Sequence, residues 1–363
     1  MEYYSYLIKP ASSLCNLKCK YCFYHDVSEH REVISNGVMS DDTLYTLIDR
    51  ALVVENEATI TFAFQGGEPT VAGLDYFVKF TDYVSLHKKS NQTIQYAIQT
   101  NGVSLEEEWC QLFKKYHFLV GVSLDGYREN HDYFRLTNAN KPTFKTIMAG
   151  IERLKKYQID YNILTVLSQP LAKHPEKLYR FFKEQKFKYV QLIPCLPGLD
   201  NEDDPFKLTP QGFAKFYKIF YRLWEADYLK GDYMSVTLFD NLILMFKGIP
   251  PQQCGMLGQC LPQYVIESNG HVYPCDFYVL DEYDTGNIKD SSFAEIRQSK
   301  AMKDFLAQPH PRCDRCVECK FKNICHGNCK RLSITYFDQH YCGYQDFLEE
   351  HYQSMAKIAQ QLK

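Results

Sequence analysis

Short apolar runs alternate with helix-period stretches over residues 4–230, and this alternation limits the folds that the chain can adopt. The runs are rich in β-branched and aromatic residues and poor in charge, as strands covered on both faces are. Six successive βα repeats predict a parallel sheet with right-handed crossovers, whose reactive groups lie at the C-terminal strand ends. The predicted strands span residues 4–8, 58–65, 93–100, 118–124, 161–167 and 189–193.

Helix-start signals stand between these strands. Ser40 precedes two aspartates, and Ser104 has Glu107 three residues later, which is the pattern of a capping box. The pattern fits either a doubly wound sheet or an incomplete (β/α) barrel, and periodicity does not separate the two. Further predicted helices of the alternation span residues 143–157, 175–185 and 211–230.

The alternation ends after one more predicted helix, residues 236–246, and the chain becomes loop-rich. Residues 264–273 predict a β-hairpin, with Asn269-Gly270 suited to a type I′ turn. This change of pattern predicts two domains, residues 1–235 and 236–363.

Charge and cysteine content narrow the function classes. The 363 residues carry 41 basic and 44 acidic side chains, and a net charge of −3 gives no reason to expect a nucleic-acid partner. The N-terminus lacks a signal-peptide pattern, and no apolar run approaches the length of a membrane span. We therefore expect a soluble, cytoplasmic protein. In a reducing compartment, its fourteen cysteines are better explained as metal ligands than as disulfides.

Cys15, Cys19 and Cys22 form a CxxxCxxC motif after the first predicted strand. Three thiolates in a tight loop suit a [4Fe-4S] cluster, because each caps one corner and one iron stays open to an exogenous ligand. A zinc site would need a fourth ligand, for which His25 is the next candidate.

This motif, with an aromatic residue before its third cysteine, resembles the signature of the radical S-adenosylmethionine (SAM) superfamily. Gln65-Gly66-Gly67-Glu68-Pro69, after the second predicted strand, resembles that family's GGE(P) motif, whose backbone contacts the methionine amino group. The resemblance implies a partial (β/α)6 TIM-like barrel and SAM as cofactor. The SAM contacts that it implies are Tyr21, Gly67, Ser123, Arg135 and Leu196.

The later cysteines resemble a second domain. Their spacing resembles that of the SPASM domain, which binds two auxiliary [4Fe-4S] clusters. The first half of the pattern is Cys260-x9-Gly270-x4-Cys275, and the second half is Cys316-x2-Cys319-x5-Cys325-x3-Cys329 followed by Cys342. The implied ligands are Cys254, Cys260, Cys275 and Cys329 for auxiliary cluster I and Cys316, Cys319, Cys325 and Cys342 for auxiliary cluster II. Four thiolates leave no open iron, which favours electron transfer; four-cysteine structural zinc is the alternative.

Three cysteines remain. Cys313 lies outside the SPASM pattern and leaves the register of that pattern ambiguous, whereas Cys110 and Cys195 are expected to be ordinary buried thiols.

Three further segments resemble the anaerobic sulfatase-maturating enzymes. They are Lys9-Pro10-Ala11-Ser12, Gln99-Thr100-Asn101-Gly102 and Tyr273-Pro274-Cys275-Asp276. That family oxidises Cys or Ser in a sulfatase C/S-x-P/A-x-R motif to Cα-formylglycine. The resemblance implies that a 5′-deoxyadenosyl radical removes a hydrogen from Cβ and that the auxiliary clusters take the second electron. It implies that Asp276 is the general base and that Tyr24 and Gln65 face the substrate. Tyr127 departs from the family, in which proline commonly follows Asp-Gly.

The implied partners are an unfolded or nascent sulfatase polypeptide and an electron donor such as flavodoxin or ferredoxin, with no nucleic acid and no membrane.

Three alternative functions stay open. One alternative is a radical enzyme that cross-links a ribosomally made peptide. Many such enzymes begin with a leader-recognition domain, for which the first strand, near residue 4, leaves no room. A non-catalytic iron–sulfur carrier would need neither the GGE motif nor Arg135. A zinc-binding interaction module is the third alternative.

Overall fold

The computed structural model describes residues 1–201 and 203–362 of the chain. By its internal contacts the chain divides into two compact units, each assembled from three segments. The first unit comprises Met1–Ser123, Asp132–Tyr161 and Pro262–Gln308; the second comprises Leu124–His131, Asn162–Leu261 and the chain from Pro309 onward. Neither unit begins or ends at residue 235, and the division of the sequence there stays a prediction.

All six predicted strands are present, and their ends lie within two residues of the predicted ends. The strands in the described residues are β1 (Glu2–Ile8), β2 (Leu17–Cys19), β3 (Ala58–Phe64), β4 (Gln92–Thr100), β5 (Leu119–Ser123), β6 (Arg135–Thr137), β7 (Tyr161–Leu167), β8 (Tyr189–Pro194), β9 (Ser235–Val236), β10 (Tyr264–Ile266) and β11 (Val272–Tyr273). The α-helices there are α1 (Phe23–Glu29), α2 (Asp41–Ala51), α3 (Leu74–His87), α4 (Glu107–Lys115), α5 (Arg128–Phe134), α6 (Phe144–Lys156), α7 (Pro175–Glu184), α8 (Pro210–Tyr228), α9 (Thr237–Phe246), α10 (Phe293–Gln298), α11 (Lys300–Ala307), α12 (Lys322–Cys325), α13 (Ser333–Tyr336) and α14 (Gly343–Gln361).

The first unit is built on parallel strands in the order β10, β1, β3, β4 and β5. Tyr6 pairs with Phe62 and Phe62 with Tyr96, so three aromatic rings stand in a row across the sheet. Their centroids are 6.0 and 6.1 Å apart, and Phe80 of α3 packs edge-on against Phe62 at 5.1 Å. This buried row holds the strands in the register that sets where their C-terminal ends fall.

β10 and β11 form the predicted hairpin, with Val265 opposite Tyr273. The predicted type I′ turn is wrong, because that turn needs two residues in the left-handed region and only Gly270 of the pair lies there, with φ of 91°. The Gly270 N–H instead donates to the Glu267 carbonyl at 2.8 Å. The longer connection needs a single left-handed glycine, and it leaves the Glu267 side chain buried.

Helix starts follow the sequence in part. Ser40 is the N-cap of α2, as predicted, and its hydroxyl accepts a hydrogen bond from the Thr43 N–H at 3.2 Å. The capping box predicted at Ser104 is wrong, because α4 takes Glu106 as its N-cap with no side-chain hydrogen bond. The Glu106 N–H donates to the Ser104 carbonyl at 2.9 Å, so the backbone turns there before the helix begins.

In the second unit, β7, β8 and β9 run parallel in that order. Helices α8, α9 and α14 share an aromatic core in which the Phe239 ring lies 5.0 Å from Tyr221 and 6.2 Å from Phe347. This core fixes the start of α14, whose N-cap is Cys342. Within the described residues, none of the helices has both the length and the apolar character that crossing a bilayer requires.

We expect Phe62→Ala to lower the free energy of unfolding by about 3–5 kcal/mol, because it removes a fully buried ring and leaves a cavity between strand and helix. Anaerobic urea denaturation followed by circular dichroism measures this change. Leu86→Ala is the control, since Leu86 is exposed on α3 and its truncation should shift the free energy by no more than about 0.5 kcal/mol. Equal effects of the two variants would contradict the assigned core.

Candidate active site and cluster sites

The CxxxCxxC loop is held by a small two-stranded sheet. β2 pairs antiparallel with β6, which places Cys19 opposite Arg135. The Arg135 guanidinium donates to the Tyr21 hydroxyl at 3.2 Å, and Cys22 is the N-cap of α1. The structure therefore brings two predicted SAM contacts to the cysteine loop.

Gly67 marks a close approach between the GGE loop and the cysteine loop. Its φ is +53°, and a Cβ built there would lie 2.5 Å from the Leu14 carbonyl oxygen and 2.8 Å from that of Ser12. Real Cβ atoms do not approach backbone this closely, so only glycine fits. Glycine at this position therefore lets the main chain of the GGE loop pack directly against the main chain that leads into the cysteine loop.

Glu68 is buried directly beyond this glycine. Its carboxylate accepts hydrogen bonds from the Thr70 N–H and hydroxyl, from the Thr100 hydroxyl at 2.7 Å and from the Asn101 N–H at 2.6 Å. Burial raises the pKa of Glu68, and these donors oppose the shift. The carboxylate therefore joins the end of β3 to the end of β4.

Two more side chains lie at the strand ends of the first unit. The Asn101 amide donates to the Asn16 side chain at 2.6 Å and lies 3.8 Å from the Cys15 sulfur. The predicted SAM contact Ser123, the last residue of β5, accepts a hydrogen bond from Gln99 at 2.9 Å. Parallel strands thus deliver their polar residues to one edge, as the βα pattern predicts.

Asp276 lies with both predicted substrate-side residues. Its Oδ2 accepts hydrogen bonds from the Tyr24 hydroxyl at 2.6 Å and from the Gln65 amide at 2.9 Å. The same Gln65 amide lies 2.6 Å from the Tyr24 oxygen. The Asp276 Oδ1 is buried and has no hydrogen-bond partner in the structure. One carboxylate oxygen is therefore fixed while the other is an acceptor without a donor.

A buried ion cluster lies beside this carboxylate. Glu267 Oε2 is 2.7 Å from the Arg31 guanidinium and 3.6 Å from Lys9 Nζ, and all three side chains are almost fully buried. Lys9 Nζ also lies 5.5 Å from the centre of the Tyr24 ring. Burial alone would raise the pKa of Glu267, but the charges of Lys9 and Arg31 hold it below its ordinary value.

The environment of Asp276 acts on its protonation in two directions. Burial raises the pKa of Asp276 above its ordinary value, while the charge of Lys9 and the hydrogen bonds from Tyr24 and Gln65 oppose that rise. The pKa of Tyr24 is raised well above its usual range by burial and by the neighbouring carboxylate. Tyr24 is thus a hydrogen-bond donor here, and Asp276 is the group able to accept a proton.

In the second unit, the cysteines assigned to auxiliary cluster II line one cavity. The Gln345 N–H donates to the Cys342 sulfur at 3.3 Å, and the Asn328 amide donates to the Cys325 sulfur at 3.2 Å. The cationic side chains in the lining suit an anionic cluster with thiolate ligands. The cysteines and cations of the lining are Cys313, Cys316, Cys319, Cys325, Cys342, Arg312, Arg315 and Lys322.

Three of the cysteines assigned to auxiliary cluster I belong to the second unit. A Cβ built on Gly255, next to Cys254, would lie 2.6 Å from Cys329 Cβ. The Cys260 sulfur lies 3.8 Å from His310 Nε2. The fourth, Cys275, belongs to the first unit, where it directly precedes Asp276.

The remaining sequence predictions concern single residues. Cys110 and Cys195 are buried, as expected, and none of the fourteen cysteines is in a disulfide. The predicted adenine contact Leu196 is buried in the second unit, just after β8. His25 is exposed and lies 3.3 Å from Glu29, and within the described residues it belongs to no group of three side chains that could hold a zinc ion.

Across residues 1–201 and 203–362, no three His, Cys, Asp or Glu side chains are arranged around a single metal ion. A cubane does not need that arrangement, because each thiolate caps a different iron corner. The thiol-lined, cationic cavity fits an iron–sulfur cluster with thiolate ligands.

Sequence reasoning did not single out Arg31 or Glu267, and it quoted Lys9, Glu68 and Asn101 only within motifs. For Lys9, Glu68 and Asn101, membership of a family motif was the signal that could have marked them as functional residues. For the ion cluster the available signal was weak: Lys9 and Glu267 each follow an apolar stretch, but Arg31 lies between His30 and Glu32, and propensity alone does not connect the three across the chain.

Comparison with known proteins gives a consistent family. Residues 10–182 match the family model of the radical SAM superfamily, and residues 258–320 match that of the SPASM iron–sulfur cluster-binding domain. A cysteine-type anaerobic sulfatase-maturating enzyme of Clostridium novyi is 40% identical over 370 residues, covering 100% of this chain and 99% of that protein. A serine-type enzyme of Bacteroides thetaiotaomicron is 30% identical over 98% of this chain and 94% of its own length.

A solved structure, native anSMEcpe with bound AdoMet and Kp18Cys peptide, is 36% identical and covers 99% of this chain and 100% of that one, with a TM-score of 0.91. This match and the two family models confirm the predicted fold class, a radical SAM α/β domain with a parallel sheet followed by a SPASM domain. On sequence and structure together, the chain belongs to the anaerobic sulfatase-maturating enzymes of the radical SAM superfamily.

Proposed function

We propose that this chain oxidises a cysteine in a sulfatase C-x-P/A-x-R motif to Cα-formylglycine, with SAM and three [4Fe-4S] clusters as cofactors. The cysteine-type relative is 40% identical and the serine-type relative 30%, which favours cysteine over serine as the target. Cys15, Cys19 and Cys22 would hold the cluster that, when bound, would supply the electron for reductive cleavage of SAM.

The observation that carries the proposal is the Asp276 carboxylate. Two donors hold its Oδ2, while its buried Oδ1 has no hydrogen-bond partner in the structure. A buried acceptor without a donor is costly unless a substrate or solvent group meets it. Asp276 is thus suited to take the proton that the target residue loses after its Cβ hydrogen, and Tyr24 and Gln65 orient it.

The cofactor contacts follow from the loops around Gly67. Cys15, Cys19 and Cys22 would ligate the first cluster. The main chain at Gly67 would bind the methionine amino group, and Arg135 would bind the carboxylate bidentately. The remaining SAM contacts proposed are Tyr21, Ser123 and Leu196.

The auxiliary clusters would accept the second electron, because four thiolates on each leave no iron open to substrate. The proposed ligands are Cys254, Cys260, Cys275 and Cys329 for cluster I and Cys316, Cys319, Cys325 and Cys342 for cluster II. We further propose a flavodoxin- or ferredoxin-like donor, an unfolded or nascent sulfatase chain as substrate, and a cytoplasmic site of action.

The activity can be tested by incubating the reduced enzyme anaerobically with SAM and a peptide carrying the cysteine motif. Conversion exchanges hydrogen sulfide for one oxygen atom in the peptide mass, and 5′-deoxyadenosine should form alongside. A serine peptide, which would lose two hydrogen atoms, is the matched comparison and should react more slowly. A thioether or carbon–carbon cross-link in either peptide, with no aldehyde, would favour the peptide cross-linking alternative and overturn this function.

Asp276→Asn should keep SAM cleavage but slow peptide oxidation by at least about 100-fold, because the amide cannot accept the proton. Separate assays of 5′-deoxyadenosine and aldehyde distinguish the two steps. Asp281→Asn is the control, since that exposed carboxylate lies five residues further along and instead accepts a hydrogen bond from the Glu32 N–H at 2.7 Å. Unchanged aldehyde formation in Asp276→Asn would exclude it as the base.

Gly67→Ala should weaken SAM binding at least about tenfold, because the added methyl would force the GGE loop away from the Leu14 and Ser12 carbonyls. Anaerobic equilibrium dialysis with labelled SAM measures the affinity. Gly37→Ala is the matched control: its φ of +72° carries the same backbone penalty, but nothing lies within 4 Å of its Cβ position. A similar loss in both variants would mean that backbone strain, and not the close approach, is responsible.

A further inference from the structure

The cavity assigned to auxiliary cluster II is lined by five cysteines, Cys313, Cys316, Cys319, Cys325 and Cys342. A [4Fe-4S] cubane has one corner for each of four thiolates, so one of the five is surplus at any moment. The cysteine spacing alone assigns no role to Cys313.

Cys313 and Cys316 are neighbours in space as well as in sequence. Cys313 is the N-cap of a 3-10 turn, Asp314–Cys316, and the Cys316 N–H donates to its carbonyl at 3.0 Å. Residues three apart eclipse in a 3-10 turn. The two sulfur atoms accordingly lie 3.5 Å apart, and Cys313 is only 4% exposed.

Two other cysteines of this cavity each accept a hydrogen bond at sulfur. The Cys342 sulfur accepts the Gln345 N–H at the start of α14, and the Cys325 sulfur accepts the Asn328 amide. Cys313 has backbone donors as well, from Arg315 and Cys316, but its sulfur differs in lying 3.5 Å from that of a second cysteine of the same cavity. A rotation about one side-chain bond moves either thiol by about the distance that separates them.

We propose that Cys313 and Cys316 are alternative ligands of the same iron corner of auxiliary cluster II. In the exchange, the iron–sulfur bond to one cysteine breaks as that to the other forms, and the thiol proton passes from the entering to the leaving sulfur. No electron is gained or lost. The inference rests on the proposed cluster II assignment, and it predicts that loss of either thiol leaves the cluster closed by four thiolates.

Alkylation of the native enzyme tests the shared corner. The reduced, SAM-bound holoenzyme is treated anaerobically with iodoacetamide and digested with chymotrypsin, which leaves Cys313, Cys316 and Cys319 on one peptide, residues 307–321. We expect one alkyl group per peptide, on Cys313 in some molecules and on Cys316 in others, with Cys319 unmodified. Alkylation confined to Cys313, or of both thiols on one peptide, would overturn the proposal.

Variants provide a second measurement in a full-length chain whose Cys15, Cys19 and Cys22 are alanine, so that only auxiliary clusters remain. Cys316→Ala should retain about eight irons per chain, and cyanide should not shift its electron paramagnetic resonance spectrum, since every corner keeps a thiolate. Cys319→Ala and the double variant Cys313→Ala/Cys316→Ala should lose iron or become cyanide-sensitive. Cys316→Ala behaving like Cys319→Ala would contradict the shared corner.

Neither measurement uses peptide turnover. A chain that oxidises no sulfatase peptide can therefore still support the shared corner, and a chain that makes formylglycine can still overturn it. Failure of the proposed formylglycine-forming activity and failure of the shared corner can therefore be told apart.

Discussion

The buried carboxylate of Glu68 is the interaction on which the candidate active site depends. It accepts hydrogen bonds from the Thr100 hydroxyl and the Asn101 N–H, and so ties the end of β3 to that of β4. A buried carboxylate is costly unless donors fill its lone pairs, so these groups cannot separate independently. The cysteine loop is attached as well, because the Glu68 N–H donates to the Leu14 carbonyl and the Asn101 amide lies 3.8 Å from the Cys15 sulfur. The buried Glu68 side chain and its backbone N–H thereby set the spacing between the GGE loop and the cysteine loop.

The hairpin brings the proposed base to the same strand ends. β10 lies parallel to β1 with Ile266 opposite Ile8, and both strands end at these residues. The residues that follow them, Glu267 and Lys9, therefore meet as an ion pair. The chain then turns, returns through β11 and reaches Asp276. A residue far along the chain thus enters the site because a short strand extends the sheet of the first unit, and the parallel register determines which charges face each other.

The sequence allowed the strands and the helix start at Ser40 to be predicted, because these follow from local periodicity and capping chemistry. The type I′ turn at Asn269 and the capping box at Ser104 were wrong, because backbone hydrogen bonds of longer loops overrode the local pattern. Asp276, Tyr24 and Gln65 were singled out by family resemblance and not by periodicity, and their hydrogen bonds to one another were not predicted. The Glu267 ion cluster was not predictable, since it depends on the pairing of strands distant in sequence.

The ion cluster explains how a proton acceptor can be buried at all. Lys9 and Arg31 bring two positive charges to the neighbourhood of two carboxylates, Glu267 and Asp276, so the set is close to neutral when all four are ionised. Without Lys9, burial would act on Asp276 opposed only by its two hydrogen-bond donors, and the pKa would rise further. Lys9 therefore offsets part of the cost of keeping the carboxylate away from water. A site closed to water also limits the side reactions of a reactive intermediate, and the ion cluster makes such closure compatible with a buried carboxylate.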